Sequence, residues 1–190
     1  MNHRDRLRSL LTERSLAMGD FTLASGARST YYIDARLTTM SAEGQFLIGL
    51  TGWESLREHF PGAGWVGGLT LGADPISYAI AHRSWLEGDA IEAFTVRKSP
   101  KEHGTGRRIE GGVLPGARVV VIEDTLTRGG SALEAVGVLA DHGAEVLGVL
   151  TLVDREAGGS DRVREAGYPV HSLFTASELL RSAGGEIPAT

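Results

Sequence analysis

The sequence predicts an α/β fold in which a central, mainly parallel β-sheet is flanked by helices. Three observations predict it. Short apolar runs of strand character are each followed by a stretch of helical periodicity. Four of those runs end in polar or Gly-rich segments, Gly67-Gly68, Arg97-Lys98, Glu123-Asp124 and Asp154-Arg155, as strands do when their carboxyl ends face a ligand. The chain has 190 residues, 42 % hydrophobic and 23 % charged, which is one domain with enough apolar surface to bury a core without staples.

Residues 4–17 place Leu7, Leu10 and Leu11 on one face, an amphipathic helix that serves as an N-terminal accessory element. A turn-rich segment from Gly19 to Gly26 leads into a short aromatic strand holding Tyr31 and Tyr32. Successive strand residues face opposite sides, so one tyrosine can pack inward while the other presents its ring to a planar ligand; plain hairpin packing is the competing reading. Residues 41–60 set Phe46, Leu50, Trp53 and Phe60 on the core side of a helix that Ser41 can cap. A strand at 64–68 runs into the turn 69–74 and a helix carrying Ile76, Ala79 and Ile80; the turn's amides suit an anion such as pyrophosphate, and a plain βα connection is the equal alternative. The strand at 91–96 ends at Arg97-Lys98. From there to Gly112 the apolar periodicity is lost, and Arg97, Lys98, Lys101, Arg107 and Arg108 gather with His103 and several glycines. Such a cationic loop is expected to be mobile and to close over phosphates, an ordinary solvated loop being the competing reading.

The most informative stretch is 119–131. Four apolar residues, Val119 to Ile122, read as a strand buried on both faces that stops at Glu123-Asp124. The chain then turns through Thr127, Arg128, Gly129, Gly130 and Ser131 into a helix at 132–142 with Leu133, Val136, Leu139 and Ala140 at helical spacing. A strand, a Gly-rich turn and a helix N-terminus make a phosphate cradle. Amides, the Thr127 and Ser131 hydroxyls and the helix dipole would hold a phosphate, while Glu123 and Asp124 accept from ribose hydroxyls or approach magnesium. Together these describe a 5-phosphoribosyl group. The alternative is an ordinary turn of a doubly wound sheet whose acids cap a helix. The stretch is neither a Walker A loop nor a dinucleotide fingerprint.

A further strand at 146–153, a helix at 158–167, a strand at 170–174 and a last helical turn or two at 177–182 complete the order. The net charge of −5 argues against a nucleic-acid or membrane surface. The lack of cysteine removes disulfides, thiolate metal sites and a cysteine nucleophile. With no apolar signal core at the start and no long apolar run, a cytoplasmic protein is expected.

Phe21-Thr22-Leu23-Ala24-Ser25-Gly26 with Tyr31-Tyr32-Ile33-Asp34-Ala35-Arg36, then Val96-Arg97-Lys98 with Lys101-Glu102-His103-Gly104, then 119–131, then Val153-Asp154-Arg155 resemble, in this order, the orotate phosphoribosyltransferases. The central motif alone resembles the wider type I phosphoribosyltransferases. The resemblance implies the type I phosphoribosyltransferase fold, with a small N-terminal hood at about 1–40 and a flexible catalytic loop. It implies transfer of the 5-phosphoribosyl group from phosphoribosyl pyrophosphate to N1 of orotate, giving orotidine 5′-phosphate and pyrophosphate in UMP biosynthesis. Mg2+ is the implied cofactor, held mainly through pyrophosphate with Asp124 as a further ligand, and the implied assembly is a homodimer sharing the loop between subunits. By position, Arg97, Lys98, Lys101, His103, Glu123, Asp124, Thr125, Leu126, Thr127, Arg128, Gly129, Gly130 and Ser131 would bind phosphoribosyl pyrophosphate. Lys101 and Asp124 would be catalytic, and Tyr31, Tyr32, Thr127 and Arg155 would bind orotate. Ala24 stands where many members have lysine, and Arg128 where threonine or alanine is usual. The alternatives are a phosphoribosyltransferase for another base, which a cation at Arg155 argues against, or a phosphoribosyl pyrophosphate-sensing regulator on the same fold. Such regulators usually add a DNA-reading helix-turn-helix, for which the ends leave little room.

Overall fold

Val119, Val120, Val121 and Ile122 are each 1 % exposed or less, and their side chains alternate between two separate cores. That is the behaviour expected of a strand with helices on both faces. The computed structural model describes residues 2–22, 28–99 and 107–184.

The chain opens with α1 (His3–Ser15), capped by the Asn2 side chain, followed by the hairpin β1 (Leu16–Thr22) and β2 (Arg28–Ile33), which forms its own two-stranded antiparallel sheet. α2 (Arg36–Thr39) and α3 (Ala42–His59) lead to β3 (Trp65–Leu69), α4 (Ala73–Leu86) and β4 (Glu92–Val96). Then come β5 (Ile109–Glu110), β6 (Arg118–Leu126), α5 (Gly130–Asp141), β7 (Glu145–Asp154), α6 (Gly159–Glu165), β8 (Val170–Thr175) and α7 (Ala176–Ser182). The main sheet has the order β5-β4-β3-β6-β7-β8, parallel throughout except at β4–β5. Leu7, Leu10 and Leu11 of α1 join Ile48, Leu56, Ile80 and Leu179 against Val120 and Ile122 on one face. Ala132, Ala135, Val136 and Leu139 of α5 and Val163 of α6 cover Val119, Val121 and Val149 on the other.

Several expectations need correction. The first helix stops at Ser15 rather than 17, and β1 occupies the start of the segment expected to be turn-rich. β1 is almost wholly exposed, so no apolar alternation marks it. Phe46 does not face the core: it is 58 % exposed with its edge against His3, while Leu47, Ile48 and Leu50 are buried. The small residues Gly44, Gly49 and Gly52 let α3 approach its neighbours, which rotates the buried face away from Phe46; a Cβ at Gly49 would lie 2.8 Å from the Ala79 carbonyl oxygen.

Gly67 and Gly68, expected as the ligand-facing end of their strand, do not line the cleft. They lie inside β3, where added Cβ atoms would come 2.2 Å from the Phe94 carbonyl oxygen and 2.1 Å from the Ile122 carbonyl oxygen. They serve close strand packing, and the turn that lines the cleft, Thr70 to Gly72, lies within the turn expected at 69–74. Likewise β6 does not stop at Glu123-Asp124 but runs two residues further, with Glu123, Thr125 and Leu126 in register with Thr151, Val153 and Asp154 of β7. On its other side β6 pairs with β3 only as far as Val121. Past that point β3 leads into α4 on one face of the sheet and β6 into α5 on the other, so a crevice opens between their carboxyl ends. Parallel sheets bind ligands at such a switch point.

Candidate active site

Two joined cavities occupy the crevice, one of about 550 Å³ over the turn after β6 and one of about 340 Å³ over the turn after β3. Both are walled by Tyr32, Glu123, Thr125, Thr127, Ser131 and Arg155. The site thus has two compartments with a common waist.

The larger compartment is floored by Thr127, Arg128, Gly129, Gly130 and Ser131, with the buried Leu126 behind them. Gly129 has φ +72°, in the left-handed region that favours glycine, and α5 begins at the next residue. The first-turn amides of α5 lack intrahelical acceptors and the helix dipole is positive here, so this end suits an anion. Gly159 abuts the turn: a Cβ there would lie 2.7 Å from the Thr127 carbonyl oxygen. The Arg162 guanidinium donates to the Arg128 carbonyl at 3.1 Å, which braces the turn from α6.

Strand alternation sends the acidic pair to different places. Asp124 lies in the smaller compartment, with its carboxylate against Gly72 and its Oδ1 accepting from the Thr125 amide at 2.7 Å. Glu123 lies at the waist, and burial together with the charge and hydrogen bond of Asp124 pushes its carboxyl up to about 8. One of the two acids therefore stays protonated at neutral pH, which keeps the cleft receptive to anions.

Arg155 follows β7 into the waist. The turn that carries it is held by the buried Asp154, whose carboxylate accepts from the Glu156 amide (2.8 Å) and from the Ser160 hydroxyl. The Arg155 guanidinium lies over the Tyr31 ring, 4.9 Å from its centroid, and its buried Nε has no hydrogen-bond partner among the described residues. Tyr31 packs towards the core while Tyr32 is 41 % exposed and lines both compartments, the division expected of adjacent strand residues.

Other residues of the site were not singled out from the sequence. Thr22 lines the larger compartment, and Asp34, Arg36 and Thr70 the smaller. Arg36 and Asp34 pair at 2.8 Å; the hydrogen bond to Arg36 lowers the Asp34 carboxyl, and Asp34 raises the Arg36 guanidinium in turn, with Asp124 adding to the latter. Thr70 donates to buried Asp74 at 2.6 Å, and Thr95 of β4 donates to the same carboxylate at 2.8 Å. Asp34 and Arg36 stand in the aromatic segment that carries the resemblance, but nothing local in sequence marks them as lining the cleft. Lys98 lines the smaller compartment, but Arg97 does not line the cleft; it faces Glu110 at 3.6 Å. Lys101 and His103, like Ala24, lie outside the described residues. Among the described residues no cluster of His, Asp and Glu could hold a metal unaided, and no helix is long and apolar enough to cross a membrane.

The architecture and a cleft built from a helix N-terminal cradle and strand-end carboxylates are those of the type I phosphoribosyltransferases. An adenine phosphoribosyltransferase from Leishmania tarentolae shares the fold at a TM-score of 0.67 and 19 % identity, covering 96 % of this chain and 93 % of that one. No family model matches the chain. Orotate phosphoribosyltransferase of Aquifex aeolicus is 48 % identical over 183 residues, covering 95 % of this chain and 99 % of the relative. That of Rhodopseudomonas palustris is 44 % identical over 181 residues, at 93 % and 96 % coverage. The crystal structure of Mycobacterium tuberculosis orotate phosphoribosyltransferase in complex with phosphoribosyl pyrophosphate matches with a TM-score of 0.79 at 38 % identity, covering 94 % of this chain and 99 % of that one. The chain belongs to the orotate phosphoribosyltransferase family.

Proposed function

We propose that the chain transfers the 5-phosphoribosyl group of phosphoribosyl pyrophosphate to N1 of orotate, releasing pyrophosphate and forming orotidine 5′-phosphate. The observation that carries this reading is Arg155: a guanidinium with an unsatisfied buried N–H, stacked on Tyr31, at the waist between an anion cradle and a second compartment. A planar fork in that position suits a base bearing a carboxylate. Tyr32 offers its ring to the base and Thr127 its hydroxyl. The Thr127 to Ser131 turn takes the ribose 5-phosphate, and the smaller compartment, with Lys98 and the Thr70 to Gly72 turn, takes the pyrophosphate. Lys101 and His103 would add charge at that end.

Orotate reacts as an anion, so little acid or base chemistry is required of the protein. The departing pyrophosphate must be stabilised by cations, and the carboxylate of Asp124 faces the ribose as positive charge develops at C1. The carboxylate of Asp124, hydrogen-bonded to one amide, can take part in holding Mg2+ together with substrate oxygens. When bound, magnesium neutralises charge on pyrophosphate. For assembly, Leu37, Met40 and Leu71 are each more than half exposed around one open concavity, and Tyr78 and Trp85 are exposed at i, i+7 on α4. This apolar surface supports a homodimer, in which the loop after Lys98 reaches the partner's cleft.

The test is product formation from phosphoribosyl pyrophosphate and magnesium with orotate, uracil, adenine and hypoxanthine in parallel. Turnover confined to orotate is expected; turnover of a purine instead would replace this reading with that of another phosphoribosyltransferase.

A further inference from the structure

The Arg108 guanidinium joins three segments. Its Nε donates to the Arg97 carbonyl at 2.9 Å, and one terminal nitrogen donates to the Lys98 carbonyl at 3.2 Å and pairs with the Glu134 carboxylate of α5. The Arg97 amide donates back to the Arg108 carbonyl at 2.7 Å. Glu134 stands one turn into the helix whose N-terminus carries Gly130 and Ser131 of the cradle. The segment bearing Lys98 is therefore referenced to α5 itself, not only to the end of β4.

We propose that Arg108, anchored by Glu134, is a positioning residue that sets the distance between the two anion compartments, so that one helix indexes both ends of a single diphosphorylated substrate. The inference rests on the proposed function for the identity of that substrate. Its physical basis is separate. The ion pair is partly exposed, 26 % for Arg108 and 43 % for Glu134, and as an attraction alone it contributes little. Its value is geometric: a guanidinium fork can satisfy two successive carbonyls and a carboxylate at once, which a lysine ammonium at the end of a flexible stem does not reproduce. With the fork in place the Lys98 backbone keeps one position relative to the cradle. Without it, Lys98 keeps its charge but loses its reference, and a substrate already seated by its 5-phosphate meets a misplaced cation.

The test uses the full chain with magnesium and three ligands: ribose 5-phosphate, which reaches the cradle only, inorganic pyrophosphate, and phosphoribosyl pyrophosphate with orotate. Glu134→Gln and Arg108→Lys are each expected to raise the pyrophosphate Kd and the phosphoribosyl pyrophosphate KM by about 10-fold, as loss of a charge-assisted contact does. The ribose 5-phosphate Kd and Tm should be unchanged. Because both variants break one contact, the double variant should be no worse than either single one. Unchanged pyrophosphate and substrate constants would overturn the inference, and so would a parallel loss for ribose 5-phosphate, which would mean that α5 as a whole had been disturbed. Absence of turnover in the unsubstituted protein would sink the proposed function, while the two binding measurements would still decide the role of Arg108.

Discussion

Gly72 packs directly against the carboxylate of Asp124: a Cβ at Gly72 would lie 2.6 Å from the carboxyl carbon and 2.7 Å from each oxygen. The two residues come from the turn after β3 and from β6, so this contact sets the spacing of the crevice at its floor. Gly72 has ordinary helical dihedrals, φ −61° and ψ −42°, and alanine costs it nothing in backbone strain.

Gly72→Ala should therefore act on Asp124 and not on the fold. The flexible end of the Asp124 side chain can yield, so Tm should change little, whereas kcat should fall roughly 10- to 100-fold because the carboxylate moves within the site. A normal kcat measured at saturating substrates would mean that the position of Asp124 is unimportant.

Glu123 makes the stability of the ligand-free protein depend on pH. Its folded carboxyl is raised to about 8 from an ordinary 4.5, so between these values the folded state holds a proton that the unfolded state has lost. Stability contributed by this protonated group is fully present below the unfolded value and is lost as pH rises through about 8. Glu123→Gln removes the dependence, and by pH 9 the variant should have gained about 2–4 kcal/mol on the unsubstituted protein relative to pH 5. Denaturant unfolding at several pH values, without magnesium or substrate, measures the gap. A gap independent of pH would show that Glu123 ionises normally.

The proposed dimer, with its loop shared between subunits, predicts complementation. Lys101→Ala and Asp124→Asn should each be inactive alone, and mixing them should restore activity, since a mixed dimer has one cleft with both groups intact. No recovery after verified subunit exchange would place the loop over its own subunit's cleft.

Much of the site was legible in the sequence because its signals are local. The cradle from Thr127 to Ser131 and the cation at Arg155 are read from a strand, its terminal polar residues and the turn that follows. What could not be read depends on tertiary contact. Gly67 and Gly68 look in sequence like the ligand-facing end of their strand, and only the Phe94 and Ile122 carbonyls show that they serve strand packing. Glu123 and Asp124 look equivalent, and only the folded surroundings of Glu123, its burial together with the charge and hydrogen bond of Asp124, raise its carboxyl. Asp34 and Arg36 enter the cleft through the β1–β2 hairpin, whose exposed first strand has no apolar period to announce it. Phe46 was misplaced because periodicity gives the phase of a helix only where large residues, and not glycines, decide its buried face.

The central claim, that this cleft joins a phosphoribosyl group to a carboxylated pyrimidine held by Arg155, is tested most directly by the ratio of kcat/KM for orotate to that for uracil, which lacks only the carboxylate. The unsubstituted protein should favour orotate strongly, and Arg155→Ala should reduce kcat/KM for orotate by about 100-fold or more through loss of a charge-assisted bidentate contact. The KM for phosphoribosyl pyrophosphate should stay close to that of the unsubstituted protein, since the cradle and Lys98 are untouched. An orotate preference that survives Arg155→Ala, or an equal rise in KM for both substrates, would contradict the account.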